Sequence, residues 1–140
     1  MWILYAFFSA IAAALVAIFG KVGLKNIDST LATTVRSIIM AGFLIIVSVS
    51  LKKFNHFSID TFSGKEWLFI ALAGIAGALS WIFYFLALKY GVASKVVAID
   101  RLSIIFVIIL AGIFLGEGFG WKTALGAVFM AGGAVLITLK

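Results

Sequence analysis

Residues Lys95 to Glu117 read KVVAIDRLSIIFVIILAGIFLGE, and this stretch decides the fold. Its uncharged core, Leu102 to Gly116, has 15 residues. An α-helix rises about 1.5 Å per residue, so the core is roughly 22 Å long, short of the ~30 Å hydrocarbon thickness of a bilayer. The helix therefore crosses a membrane only if Asp100 and Arg101 enter it too. A charged residue costs on the order of 2.5–3.5 kcal/mol inside a membrane helix, so we expect this pair to face protein or a water-filled cavity.

The composition of the whole chain points to an integral membrane protein. Of its 140 residues, 65% are hydrophobic and 11% are charged, and the mean hydropathy is +1.29. No soluble domain needs that much apolar surface, which excludes the soluble classes. Cysteine is absent and there is a single histidine, which leaves no material for disulfides or a metal-ligand cluster. We expect no cofactor and no metal, and no pairing of nucleophile and base indicates an enzyme.

Five hydrophobic runs predict an all-α protein with five transmembrane helices in a single domain, 1–140. The first run has no basic residue ahead of it, as a signal peptide would, so we expect it to be a retained helix. Ser63-Gly-Lys-Glu66 has the spacing of a capping box and predicts a helix start at Ser63 or Gly64. Proline is absent, so any break in a helix has to come from glycine or from packing. The predicted helices are about 2–20, 31–51, 67–88, 95–116 and 121–139.

Basic residues between the runs indicate membrane partners. The formal net charge of +6 would suggest nucleic acid for a soluble protein, but here the lysines meet lipid headgroups and set orientation, so nucleic acid is not an expected partner. With the amino-terminal side named side A, four Lys and Arg residues lie on side A and seven on side B. That bias favours side B in the cytoplasm. Without the intramembrane Arg36 and Arg101 the count is 4 against 5, so a mixed orientation stays open.

Three predicted helices place charged or aromatic residues in one layer near side B. Arg36 lies five residues inside the second run, Asp100 and Arg101 are about as deep in the fourth, and Trp81 in the third lies roughly 10 Å from side B. Snorkelling explains Arg36 alone, but Asp100 is too short to reach far. We expect Asp100 to be paired with Arg36 or with Arg101, because pairing lowers the cost of both charges.

Several segments resemble a known family. Ala87-Leu-Lys-Tyr-Gly-Val-Ala-Ser94, Leu110-Ala-Gly-Ile-Phe-Leu-Gly-Glu117, Ser80-Trp-Ile-Phe-Tyr-Phe-Leu-Ala87 and Ile99-Asp-Arg-Leu-Ser103 are similar to the EamA-type domain of the drug/metabolite transporter superfamily, in particular its short single-domain bacterial and archaeal members. The resemblance implies five membrane helices that form one transporter half. It departs from relatives at Ala98, where they commonly have proline.

The resemblance also implies an assembly. Longer relatives carry two such domains in opposite orientations, and an odd number of helices makes a tandem copy come out inverted. A single copy needs its second half from another chain. We therefore expect a homodimer, in which an antiparallel arrangement is one option.

Two functional interpretations follow. The first is a secondary transporter, an exporter or exchanger of small metabolites or amphipathic solutes, in the cell membrane. The second is a non-transporting structural or accessory membrane protein whose buried charges fix helix packing. Glu117 is interpreted as a turn residue, with a gating role kept open by the resemblance. The candidate solute-binding residues are Arg36, Asp100, Arg101, Ser103, Ser80, Trp81 and Tyr84.

Overall fold

The computed structural model describes residues 1–56, 58, 62–118 and 120–139. In this part of the chain five helical stretches are long and apolar enough to cross a membrane, which confirms the predicted all-α membrane fold. A short 3-10 turn, Lys53–His56, follows the second helix. The α-helices are α1 (Trp2–Gly23), α2 (Ser29–Ser50), α3 (Gly64–Tyr90), α4 (Ala93–Asp100), α5 (Ser103–Leu110) and α6 (Trp121–Thr138).

Helix starts are fixed by side-chain caps. The carboxylate of Asp28 accepts the amides of Thr30 and Leu31, each at 2.9 Å, so α2 begins at Ser29. These bonds satisfy two of the amides that have no partner within the helix. Ser63 and Glu66 form the predicted capping box at the start of α3. The amide of Ser63 donates to Glu66 Oε2 at 2.7 Å, and the amide of Glu66 donates to Ser63 Oγ at 3.4 Å.

The fourth membrane span, Ala93–Leu115, is not one regular helix. Between α4 and α5 the amides of Leu102 and Ile104 donate to carbonyls three residues back, those of Ile99 and Arg101, at 2.9 and 3.2 Å. Arg101 and Leu102 keep helical dihedral angles, with ψ of −12° and −15°. The chain therefore tightens into a 3-10 step without proline or glycine, directly after Asp100. Such a step shifts the register of the backbone hydrogen bonds by one residue.

The same span ends in a π-helical turn. Ala111–Leu115 forms this turn, and Gly116 follows with φ of 66°. The amide of Glu117 then donates to the carbonyl of Ala111 at 3.3 Å, which closes the helix end. A left-handed residue after the last turn is the usual way to close a helix, and glycine adopts it without a Cβ clash. Glu117 itself is exposed in this turn.

The chain divides into two compact units. Met1–Val22 and Tyr90–Lys140 make up the terminal unit, and Gly23–Lys89 makes up the central unit. In the terminal unit the buried residues are Ala17, Ala98 and Ala134, one from each of α1, α4 and α6. Small residues let membrane helices approach closely, and Ala98 and Ala134 lie on α4 and α6, which pack against each other. In the central unit the buried residues are Leu24, Ser29, Thr33, Phe85 and Leu88.

Lysine side chains tie helix ends together in the terminal unit. Lys21 Nζ, at the end of α1, donates to the carbonyl of Gly91 at 2.8 Å. Lys95 Nζ, in α4, donates to the carbonyl of Thr138, the last residue of α6, at 2.9 Å. The carbonyls at a helix carboxyl end lack intrahelical partners and carry partial negative charge, so an ammonium group is a favourable partner there. These two lysines therefore contribute to folding as well as to surface charge.

Candidate functional site

The clearest polar site lies in the central unit and is centred on Arg36. This residue is seven positions after the first residue of α2, roughly 10 Å along the helix. Its guanidinium carbon lies 3.3 Å from the ring centroid of Trp81 and 4.9 Å from that of Phe85. Nη2 donates to Met40 Sδ at 3.3 Å. We call these four residues, Arg36, Met40, Trp81 and Phe85, the arginine cage.

The arginine cage has one donor without a partner. Nη1 of Arg36 is buried and makes no hydrogen bond with any of the described residues. Among the described residues of the central unit, this guanidinium meets the thioether of Met40 and two aromatic faces, and no carboxylate. A cation over an indole ring is attracted by the negative face of the ring, and in a desolvated setting this is worth about 2 kcal/mol. The cage therefore holds the charge without cancelling it.

Arg36 lies on a polar face of α2. Ser29, Thr33, Arg36 and Ser37 follow helical spacing, and Ser29 and Thr33 are buried. The Thr33 hydroxyl donates to the Ser29 carbonyl at 2.7 Å, and the Ser37 hydroxyl donates to the Thr33 carbonyl at 2.8 Å. Each hydroxyl donor is thereby satisfied within its own helix, which is how serine and threonine are tolerated in an apolar setting. The result is a polar stripe along α2 that is buried at Ser29 and Thr33 and exposed at Ser37.

The matching face of α3 is aromatic. Trp81, Tyr84, Phe85 and Leu88 repeat every three or four positions, so they lie on one side of the helix. The rings of Trp81 and Phe85 are 5.7 Å apart, and Tyr84 meets Phe85 edge to face at 5.6 Å. These are the separations at which aromatic rings attract each other. Ser80 precedes this face and is exposed. The central unit thus brings Arg36, Trp81 and Tyr84 to one region, and Ser80 lies at its edge.

The other candidate residues belong to the terminal unit. Asp100 and Arg101 sit at the 3-10 step, Ser103 opens α5, and all three side chains are exposed. In the described part of this unit Asp100 and Arg101 make no ion pair with each other, so that pairing is not formed. The alternative pairing of Asp100 with Arg36 stays a prediction.

Two members of the cage were not among the predicted residues. Phe85 and Met40 each lie four positions after a predicted site residue, Trp81 and Arg36 respectively. Residues four apart share a helix face. That spacing is the signal in the sequence that could have found them. In the described residues there is no group of three or more His, Asp or Glu side chains that could hold a metal ion.

Comparisons with known proteins agree with this architecture. Residues 1–139 match the model of the EamA-like transporter family. The chain is also 38% identical over 138 residues to a protein of Sinorhizobium sp. described as "Uncharacterized transporter in cobO 3'region", with 99% of this chain and 96% of that protein covered. No solved structure matches the chain. A match over nearly the whole length, together with five membrane-length helices, shows that the chain is a multi-pass membrane protein belonging to the EamA-like transporter family.

Proposed function

We propose that the protein is a secondary transporter of small metabolites or amphipathic solutes, working as an exporter or exchanger in the cell membrane. The observation that carries the proposal is the arginine cage. A charged residue within a membrane helix is costly and usually marks a solute or ion pathway. Arg36 adds to this a buried donor with no partner, next to aromatic rings suited to an apolar solute body. Binding sites commonly combine apolar walls with a few polar groups that fix orientation.

The proposed working form is a homodimer, with an antiparallel arrangement as one possibility. The described residues contain five membrane-length helices, an odd number, and many transporters place their solute site between two halves of opposite orientation. Gly126, Gly132 and Gly133 on α6 fit contact with a partner, because a Cβ added at any of them would meet no heavy atom of the described residues within 4 Å. Glycines in membrane helices favour close helix approach, and here that space is open. Cross-linking between single cysteines placed at Gly126 and Gly132 in purified protein tests the assembly, and exclusively monomeric products would refute it.

Reconstitution into proteoliposomes tests transport. Vesicles with the wild-type protein are loaded with metabolite mixtures, and solute loss is followed by mass spectrometry. We expect flux of at least one solute, which falls at least tenfold in Arg36→Gln and is kept in Lys122→Gln, since Lys122 is an exposed lysine on α6. Folded wild-type protein that moves no solute, in either net or exchange mode, would contradict the proposal.

A second function is favoured by a specific set of contacts. Lys21 and Lys95 tie helix ends together, and Arg36 ties α2 to α3 through Trp81. If these cations serve only to hold helices in register, the protein is a structural or accessory membrane protein. The two functions predict opposite effects of removing Arg36 on stability.

A further inference from the structure

The unpartnered donor of Arg36 has a consequence for the kind of solute that binds. We propose that Arg36 recognises a singly charged oxyanion, the carboxylate of a solute with an apolar body, and that Trp81 holds the guanidinium when no anion is bound. The inference deepens the transporter function proposed above and rests on it. Its basis is the contact of Arg36 with the Trp81 ring at 3.3 Å together with the buried Nη1 that has no acceptor.

The charge of the ligand follows from the charge of the site. Arg36 contributes one positive charge, and the residues around it in the cage, Met40, Trp81 and Phe85, contribute none. A monoanion would cancel that charge, whereas a dianion such as a phosphate monoester would leave one negative charge in an apolar setting. Buried charges are tolerated when they are paired and costly when they are not. The cage therefore favours a carboxylate over both a neutral amide and a dianion.

The N–H donors that Arg36 leaves unused suit a small ligand with one acceptor group. Nη2 is engaged by Met40 Sδ, and one face of the guanidinium is covered by the Trp81 ring. Nη1, which carries two of the five N–H donors of the guanidinium, has no partner among the described residues and can donate to a ligand oxygen. A hydrogen bond between a guanidinium and a carboxylate is charge-assisted and stronger than a neutral one. A carboxylate can therefore draw the guanidinium away from the ring.

Trp81 has a separate role in the unloaded protein. An alternating-access carrier that performs net transport has to reorient without solute, and its site arginine then has no counter-charge. The Trp81 face supplies part of the missing attraction in that state. In Trp81→Leu the unloaded return should slow by about tenfold or more, because the cation–π contact is lost. Exchange should slow less than net transport, since the protein is loaded with carboxylate in both directions.

Binding is tested with Trp81 as the probe. The full chain is purified in a maltoside detergent with Trp2, Trp67 and Trp121 changed to Phe, so that all tryptophan emission comes from Trp81. A panel of aliphatic and aromatic monocarboxylates is titrated, each beside its primary amide and the corresponding phosphate monoester. We expect a saturable emission change for at least one carboxylate as the guanidinium leaves the ring. Its amide and phosphate counterparts should bind at least tenfold more weakly.

Variants of Arg36 and a parallel titration with a lipid complete the binding test. Arg36→Lys keeps the charge but loses the planar stack, so it should bind the carboxylate more weakly and still prefer it to the amide. Arg36→Gln should lose the preference, and Lys122→Gln should keep wild-type binding. A short-chain phosphatidylglycerol, whose phosphodiester is also a singly charged oxyanion, is titrated in parallel. Saturation by this lipid alone, equal binding of acid and amide, or no response to any carboxylate would each overturn the proposal.

The flux measurement separates this inference from the transporter function. Carboxylate binding that depends on Arg36, without solute flux in proteoliposomes, would support the anion site and contradict transport. Solute flux that shows no preference for carboxylates and is unchanged in Arg36→Lys would support transport and overturn the anion site. A larger loss of net flux than of exchange in Trp81→Leu supports both.

Discussion

Replacing Arg36 by leucine should stabilise the protein. A charged side chain in a membrane helix costs on the order of 3 kcal/mol. The stacking of the guanidinium on Trp81, at 3.3 Å from the ring centroid, returns about 2 kcal/mol of this cost. Nη1 makes no hydrogen bond with the described residues, so it offsets none of this cost. Leucine removes both terms, and we expect the free energy of unfolding of Arg36→Leu to rise by about 1 kcal/mol.

A double-mutant cycle isolates the contact that carries this estimate. Trp81→Leu removes the cation–π contact and the packing of the ring, whereas in the Arg36→Leu background the same change removes only the packing. The difference between the two should be about 2 kcal/mol. Trp67→Leu is a matched control, because Trp67 lies near the start of α3, outside the arginine cage, and its ring meets Phe62 edge to face at 5.4 Å. Its coupling to Arg36 should be smaller than that of Trp81.

The assay is reversible unfolding in mixed micelles with increasing SDS, followed by circular dichroism. A gain in stability for Arg36→Leu, with solute flux lost, indicates a charge kept for function at the expense of stability. If Arg36→Leu instead loses about 2 kcal/mol or more, the arginine holds helices together, and the structural interpretation of the protein is favoured. A coupling energy below about 0.5 kcal/mol between Arg36 and Trp81 would refute the reasoning about the cage.

Three further predictions concern helix ends, each checked by the same unfolding assay. Lys95→Met should lose about 2 kcal/mol, because it removes a charge-assisted hydrogen bond to the last carbonyl of α6, while the same change at exposed Lys122 should lose less than about 0.5 kcal/mol. An equal loss of stability for both variants would contradict a stabilising role of the hydrogen bond between Lys95 and Thr138. Asp28→Ala should lose about 1 kcal/mol through the two capping bonds of α2, with Asp28→Asn close to wild type. Gly116→Ala should lose roughly 1 kcal/mol because φ is 66° there, and Gly118→Ala, at a position without positive φ, should be neutral.

Much of the fold could be predicted from the sequence because the signals are local. Long uncharged runs specify membrane helices, and the Ser63–Glu66 capping box specifies where α3 begins. The 3-10 step after Asp100 could not be predicted in this way. Proline and glycine are the usual local signals for such a step, and this segment has neither.

The candidate site was predicted in part. Depth along each helix can be counted from the sequence, which is why Arg36 and Trp81 were expected in one layer. Whether two such residues meet depends on how each helix is rotated, and uniformly apolar runs carry little information about rotation. The hydroxyls of α2 do not supply it, because Ser29, Thr33 and Ser37 recur every four residues beside Arg36 while Thr30 and Thr34 repeat the same spacing at exposed positions.

The hydrogen bonds of Lys21 and Lys95, here called the lysine tethers, link the orientation in which the chain inserts to the stability of the folded protein. The distribution of lysine and arginine around the membrane helices sets the orientation in which they insert. Lys21 and Lys95 belong to that distribution, and their ammonium groups are also bonded to the carbonyls of Gly91 and Thr138. A lineage that reversed its orientation by moving these charges would lose two helix-end contacts at the same step. Changes of topology in this protein should therefore arise at basic residues outside the tethers, such as Lys25 and Lys122.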